Sequence, residues 1–205
     1  MCIIILHGEE RGNVENQDSK FSNSWVMNLE DAFAHSRMIF PSFPEEVFTL
    51  WLEDRIRSNG WPPCGLEWLG FLFGESITFW QNLHWEDRTV TLGMADLAPR
   101  SLALAVQIVE AGIGRKNLMA NYIPNTAERF LSCVQFIRDN NSVPGKILLL
   151  ASHGGYEVID GNHRIAALLA VQSHFSARSM LVPLQAWLAF PPELSGKVYP
   201  DENEV

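Results

Sequence analysis

The stretch from Asp160 to Arg164 gathers residue types that suit phosphate chemistry within one short turn. It reads Asp-Gly-Asn-His-Arg and lies between a strand-like run and an Ala/Leu-rich segment that predicts a helix. The first amides of a helix have no partners inside the helix and carry partial positive charge, to which an arginine in the first turn adds a full charge. The junction therefore predicts an anion site, with phosphate as the obvious ligand.

Each residue of this motif suits one role in phosphoryl transfer, in which a protein mainly positions groups and neutralises charge. Gly161 would let the backbone approach a phosphate, and the amides of Asn162 to Arg164 would donate to it. The Arg164 guanidinium offers a planar fork to the phosphate oxygens. His163 would donate to the transferred phosphoryl group or bridge to the acceptor. Asp160 is the predicted general base or magnesium ligand.

A purely structural role for the same residues has to be weighed against this one. Asp-Gly is an ordinary turn signal, and Asn162 is an ordinary helix N-cap. Capping needs only one such residue, whereas here Asp, His and Arg fall within five positions. That coincidence favours the functional interpretation.

The elements around the motif follow from local patterns. Ile147 to Ala151 and Tyr156 to Asp160 predict two strands joined by a turn at His153-Gly154-Gly155, and Phe130 to Asn140 predicts the preceding helix. Earlier in the chain, the sequence predicts a strand at Cys2 to Leu6 and helices at Leu29 to Ile39 and Pro44 to Arg57. Two strands are then predicted at Ser76 to Gln81 and Arg88 to Leu92, around a turn at Trp85 to Asp87. A helix is predicted from Ala98 to Ala111, with Leu102, Val106 and Val109 as its buried stripe.

Composition limits the function classes. The chain has 205 residues, 47% of them hydrophobic, and a formal net charge of -9, so its long-range field repels polyanions. Basic residues are scattered, which argues against nucleic acid as a partner. No apolar run is long enough to span a bilayer, so we expect no membrane partner. The three cysteines are widely spaced and predict reduced thiols in a cytoplasmic protein. Most of the clustered aromatic residues from Trp68 to Trp85 are expected in the core.

The strand, the Asp-Gly-Asn-His-Arg turn and the Ala-rich helix together resemble the ParB/sulfiredoxin superfamily, whose members place a Gly-x-x-Arg motif on nucleotide phosphates. In this chain the motif runs from Gly161 to Arg164. Upstream, Tyr122 to Arg129 is similar to the segment before the first helix of the family, so the resemblance covers roughly Leu118 to Phe190.

Three branches of the superfamily are distinguished by the motif. Sulfiredoxins have a nucleophilic cysteine where this chain has Asn162, and partition-type ParB proteins have a second basic residue where it has His163. The partition proteins also continue into a helix-turn-helix domain, whereas about forty residues follow the motif here. The free serine kinases share the pattern Asp-Gly-x-His-Arg and are the branch that the motif resembles best.

That resemblance implies ATP or ADP with Mg²⁺ as cofactors, a small hydroxyl-bearing substrate, and a helping glutamate from an earlier segment, for which Glu128 and Glu110 are candidates. The predicted fold class is α+β. A ParB/sulfiredoxin-like mixed sheet with flanking helices, residues 118–205, follows a helical and aromatic-rich part, residues 1–117, packed on it. The predicted function is a nucleotide-dependent phosphotransferase or phosphohydrolase. The alternative is a non-catalytic ParB-like nucleotide-binding or DNA-associated module, including a ParB-like nuclease. Oligomeric state is left open.

Overall fold

The computed structural model describes residues 27–61, 72–119, 123, 125–174 and 182–194. Its helices and strands follow one another as α1 (Leu29–Ile39), α2 (Glu45–Val47), a π-helical segment (Phe48–Glu53), α3 (Asp54–Asn59), α4 (Ile77–Gln81), β1 (His84–Val90), a 3₁₀ turn (Met94–Asp96), α5 (Pro99–Gly112), α6 (Thr126–Asn140), β2 (Ile147–Ser152), β3 (Gly155–Asp160), α7 (Asn162–His174) and β4 (Leu184–Phe190). The predicted α+β class is confirmed.

The strands form one mixed sheet in the order β1-β4-β2-β3. β1 pairs antiparallel with β4, from His84 opposite Phe190 to Val90 opposite Leu184. β4 runs parallel to β2, and β2 and β3 form an antiparallel hairpin. The strand added last along the chain therefore lies inside the sheet, between β1 and β2.

Both faces of the sheet are covered, which explains the uninterrupted apolar sequence of β2. Successive side chains of a strand point to opposite faces. Ile147 and Leu149 pack with α5, α6 and α7, whereas Leu148 and Leu150 pack with the aromatic-rich helices α1 to α4. Of the aromatic cluster expected in the core, Trp80 and Trp85 are buried in this second layer and Phe73 and Phe79 are partly buried against it, while Trp68 and Phe71 lie outside the described residues. Trp51 and Trp61 are buried in the same layer.

One strand prediction and one turn prediction before β2 are wrong, whereas the strand expected at Arg88 to Leu92 overlaps β1. Ser76 to Gln81 was expected in a strand but forms α4, in which the Ser76 hydroxyl accepts from the amide of Phe79 as the N-cap and Trp80 donates to the carbonyl of Leu72. The expected turn at Trp85 to Asp87 lies inside β1. Tertiary burial of the tryptophan and pairing with β4 outweigh the local preferences.

The buried stripe of α5 also differs from the prediction. Val106 is 50% exposed, and Leu102 and Val109 are only half-buried. The helix instead turns small side chains and one isoleucine to the core, which lets it pack closely on α6 and α7; these residues are Ser101, Ala105, Ile108 and Ala111. An apolar stripe is thereby left facing outward.

The predicted helices at Leu29 to Ile39, Pro44 to Arg57 and Phe130 to Asn140 are confirmed, as is the β2–β3 hairpin. The division into residues 1–117 and 118–205 stays a prediction. The sheet crosses this boundary, since β1 comes from the first part and β2, β3 and β4 come from the second. The strand expected at Cys2 to Leu6 lies outside the described residues. Within the described ranges, no helix has the length and apolar character needed to cross a bilayer.

Candidate functional site

The predicted motif opens into a cleft at the end of the sheet where β3 meets α7. The cleft has a volume of about 820 Å³ and is built from both helical layers. All five motif residues, Asp160 to Arg164, line it, together with residues from the π-helical segment, α3, α5 and α6. The structure therefore brings the whole predicted set of site residues to one cavity.

Arg164 is engaged by the protein itself. Its Nη2 donates to Oδ2 of Asp160 at 2.6 Å, and its Nη1 donates to the carbonyls of Lys146 at 2.6 Å and Pro144 at 3.2 Å. These bonds fix the loop before β2 against the start of α7. The predicted phosphate fork is thus largely a structural clamp, although the side chain still borders the cleft.

Only some of the amides predicted to bind phosphate at the start of α7 are available to a ligand. The amides of Arg164 and Ile165 donate to the carbonyl of Gly161, at 2.9 and 3.0 Å, so the expected role of the Arg164 amide is corrected. The amides of Asn162 and His163 have no acceptor among the described residues. Gly161 has φ of +97°, a conformation that favours glycine, at the turn between β3 and α7.

His163 is the most perturbed group in the cleft. Burial, with the nearby charge of Arg129, lowers the pKa of its imidazole to about 4. The ring is therefore neutral at pH 7. Its Nε2 atom is buried and has no hydrogen-bond partner in the described part of the protein. A neutral imidazole with an unused nitrogen can donate to a ligand oxygen or accept a proton from a hydroxyl group.

Basic side chains from three elements surround the motif. Arg129, in the first turns of α6, is exposed, lines the cleft and forms no ion pair with a described residue. Arg55, on α3, lies close enough for the charge of Asp160 to raise the pKa of its guanidinium, while the larger effect of burial lowers that pKa. The lining itself carries two arginines, Arg129 and Arg164, and two carboxylates, Asp54 and Asp160, so Arg55 adds a further cation close to a charge-balanced cleft.

The carboxylates of the cleft decide whether it fits a magnesium ion. Asp160 and Asp54 both line the cavity, and one oxygen of Asp160 is bonded to Arg164. Described residues contain no group of three or more His, Cys, Asp or Glu side chains placed to hold a metal. Because Mg²⁺ is often bound by one or two carboxylates and substrate phosphates, this pair fits an ion that arrives with a nucleotide.

Part of the cleft lining is aliphatic. Leu104 and Ile108 of α5 line the cleft, as do Leu50, Met119 and Ile123. Cys133 lines it as well, and burial raises the pKa of its thiol, against the opposing charges of Arg164 and Arg129. The thiol is therefore protonated at neutral pH and is not an activated nucleophile.

Neither candidate for the helping glutamate lines the cleft. Glu128 is exposed and Glu110 pairs with Arg115 on another face of α5. The carboxylate that an earlier element does contribute is Asp54. The sequence does not indicate Asp54 and Arg55 as site residues because α3 reaches the motif only through tertiary packing. Arg129 ends the segment Tyr122 to Arg129 that resembles the family, but the sequence does not decide whether its side chain points to the phosphate site.

Comparison of the chain with protein-family models, with curated proteins and with solved structures found no match.

Proposed function

We propose that the cleft binds the phosphates of ATP or ADP and that the protein is a nucleotide-dependent phosphotransferase or phosphohydrolase acting on a small hydroxyl-bearing molecule. The proposal includes Mg²⁺ as the cofactor and the cytoplasm as the location. The observation that carries it is the pair formed by His163 and Arg129, which both line one cavity: among the described residues the neutral imidazole has no hydrogen-bond partner for its Nε2 atom, and Arg129 has no ion-pair partner.

The roles proposed for the individual residues differ from those predicted from the sequence, mainly for Arg164. Arg129 would neutralise phosphate charge, and the amides of Asn162 and His163 would donate to phosphate oxygens. The neutral imidazole of His163 would donate to the transferred phosphoryl group. Arg164 would act mainly by holding Asp160 and the loop before β2 in position.

Mg²⁺ would be held by Asp160 and Asp54 and would supply charge neutralisation on the phosphates. Asp160 is the proposed general base or magnesium ligand. Its Oδ2 is bonded to Arg164, so its second oxygen is the one left for either role.

A second candidate is a non-catalytic nucleotide-binding module of ParB type, in which the ligand changes an interaction with a partner. The ion pair between Asp160 and Arg164 favours it, because a carboxylate held by an arginine at 2.6 Å is a poor general base. The two candidates share the binding site and differ only in turnover.

Binding is tested by measuring thermal unfolding with nucleoside mono-, di- and triphosphates in the presence of Mg²⁺, since a ligand of the folded state raises apparent stability. We expect a shift with ATP or ADP, and about a tenfold loss of affinity in Arg129→Ala, which removes one charge-assisted contact. Arg100→Ala is the matched control, because Arg100 is exposed and does not line the cleft. No shift with any nucleotide contradicts both candidates.

Catalysis is tested by phosphate and ADP release from ATP in the presence of candidate hydroxyl acceptors. The kinase proposal expects slow turnover that is lost in Asp160→Asn, whether Asp160 acts as the general base or as the magnesium ligand. Binding without release in wild-type protein, accompanied by a change of oligomeric state, supports the non-catalytic module instead.

A further inference from the structure

A second cavity, of about 810 Å³, lies between α5, α6 and α7 and shares no lining residue with the cleft. Its floor belongs to the core and includes Ala105, Phe130 and Leu169, which are 2%, 3% and 5% exposed. Its rim is apolar and open to solvent, with exposures of 51% for Met94, 50% for Val106, 60% for Ile113 and 52% for Leu131. We call it the α5–α6 groove.

The groove has a defined length. A Cβ atom on Gly112 would collide with the Phe130 ring, so the end of α5 and the start of α6 are packed in direct contact there. From Leu131, α6 continues along the groove to Arg138. Seven residues of helix correspond to a rise of roughly 10 Å. The apolar rim therefore extends over two helical turns and has a charged residue at its far end.

Charged side chains at the two ends of the rim differ in their partners. Near the Phe130 end, Glu110 forms an ion pair with Arg115 at 3.8 Å and accepts a hydrogen bond from the side-chain amide of Asn117 at 3.4 Å. At the other end, Arg138 is exposed and has no acidic side chain within ion-pair distance in the described ranges. The groove thus offers an aliphatic channel with one unpaired guanidinium at its end.

We propose that the α5–α6 groove binds a linear aliphatic carboxylate. Its volume lies within the range of small-molecule sites, and such sites are mostly apolar with few polar groups that fix ligand orientation. The chain would cover the exposed rim at Val106 and Leu131, and the carboxylate would bond to the fork of Arg138. This inference is independent of the nucleotide cleft, which lies on the opposite sides of α5 and α6.

The test is displacement of the neutral fluorescent probe N-phenyl-1-naphthylamine from the full chain by dodecanoate, 1-dodecanol and dodecylamine, which share one alkyl chain. Dodecanoate is expected to bind up to roughly fivefold more tightly than the alcohol, and the amine more weakly than both, as one exposed charge contact implies. Arg138→Glu should reverse the order of acid and amine, and Arg138→Gln should equalise acid and alcohol. Arg100→Ala should leave the wild-type order unchanged.

Equal affinities of wild-type protein for the three compounds overturn the proposal, and so does a preference for dodecanoate that survives in Arg138→Glu. The comparison of head groups in wild-type protein needs no variant, so it stands even if a variant unfolds. Sedimentation equilibrium tests whether a second copy of the chain occupies the groove instead. A dimer at micromolar concentration that Leu131→Asp dissociates would show that a second copy of the chain covers the groove, and would overturn the proposal.

Discussion

The titration of His163 gives the sharpest prediction from the cleft. The pKa of its imidazole is about 4 in the folded protein, against about 6.5 for an unperturbed histidine. As the pH falls below about 6.5, the histidine is protonated in the unfolded chain, whereas in the folded protein it stays neutral until the pH reaches about 4. The contribution of His163 to the free energy of unfolding is therefore fully present above pH 6.5 and is lost as the pH falls from about 6.5 to about 4.

The magnitude follows from the shift. A difference of about 2.5 pKa units corresponds to about 3.4 kcal/mol at 1.36 kcal/mol per unit. The side chain is only half-buried, and solvent in the cleft screens part of this effect, so we expect a loss of about 2 kcal/mol in the free energy of unfolding.

The assay is urea denaturation from pH 7 to pH 4 on wild-type protein and His163→Gln, which cannot titrate. Contributions of other groups cancel in the difference between the two, so the wild-type free energy of unfolding should fall relative to the variant as the pH decreases. An NMR titration of the imidazole Hε1 proton supplies the pKa directly. A pKa of about 6.5, or a difference that does not change with pH, would refute the account of the site.

The charge of Arg129 is the second cause of the shift and allows an internal control. Arg129→Ala should raise the pKa of His163 towards its ordinary value, because the repulsion of the imidazolium is removed. Bound phosphate should raise this pKa as well, since a nearby anion favours the protonated ring. A pKa that does not respond to Arg129→Ala would place the two side chains further apart than the structure does.

Three predictions concern glycine and arginine contacts, each measured as the midpoint and free energy of urea denaturation. Gly112→Ala should destabilise by about 1–3 kcal/mol because its methyl group meets the Phe130 ring, and Phe130→Leu should recover part of that loss; additive effects would contradict the contact. Gly161→Ala should cost about 1–3 kcal/mol, since φ is +97° and the new Cβ would lie 3.1 Å from Ile147. Arg164→Ala should cost about 2–3 kcal/mol by leaving a carboxylate and two carbonyls without their donor, and an unchanged midpoint would show that the clamp is not structural.

Sequence predicted the parts of the fold whose signals are local. The β2–β3 hairpin and α7 follow from a short glycine turn and an Ala-rich helix start, and both are confirmed. Ser76 to Gln81 was wrong because its β-branched and aromatic residues favour a strand locally, whereas burial of Trp80 selects a helix. The polar start of β1 was missed because its partner, β4, lies about a hundred residues away.

The same limit applies to the site. The five motif residues are contiguous in sequence, so their gathering at one cavity was predictable. The partners of Arg164 were not, because two of them are backbone carbonyls of a loop about twenty residues earlier. Nor does any local pattern indicate that α3 brings Asp54 into the cleft lining and places Arg55 close enough to feel the charge of Asp160.

The internal position of β4 has a consequence for synthesis on the ribosome. β1 and the β2–β3 hairpin emerge first, but they cannot join one sheet until β4 has left the exit tunnel and paired with both β1 and β2. Until then two strand edges remain open, and such edges pair readily with other chains. The nascent protein should therefore depend on chaperones that shield these edges, and a stall just before residue 184 should yield an aggregating product.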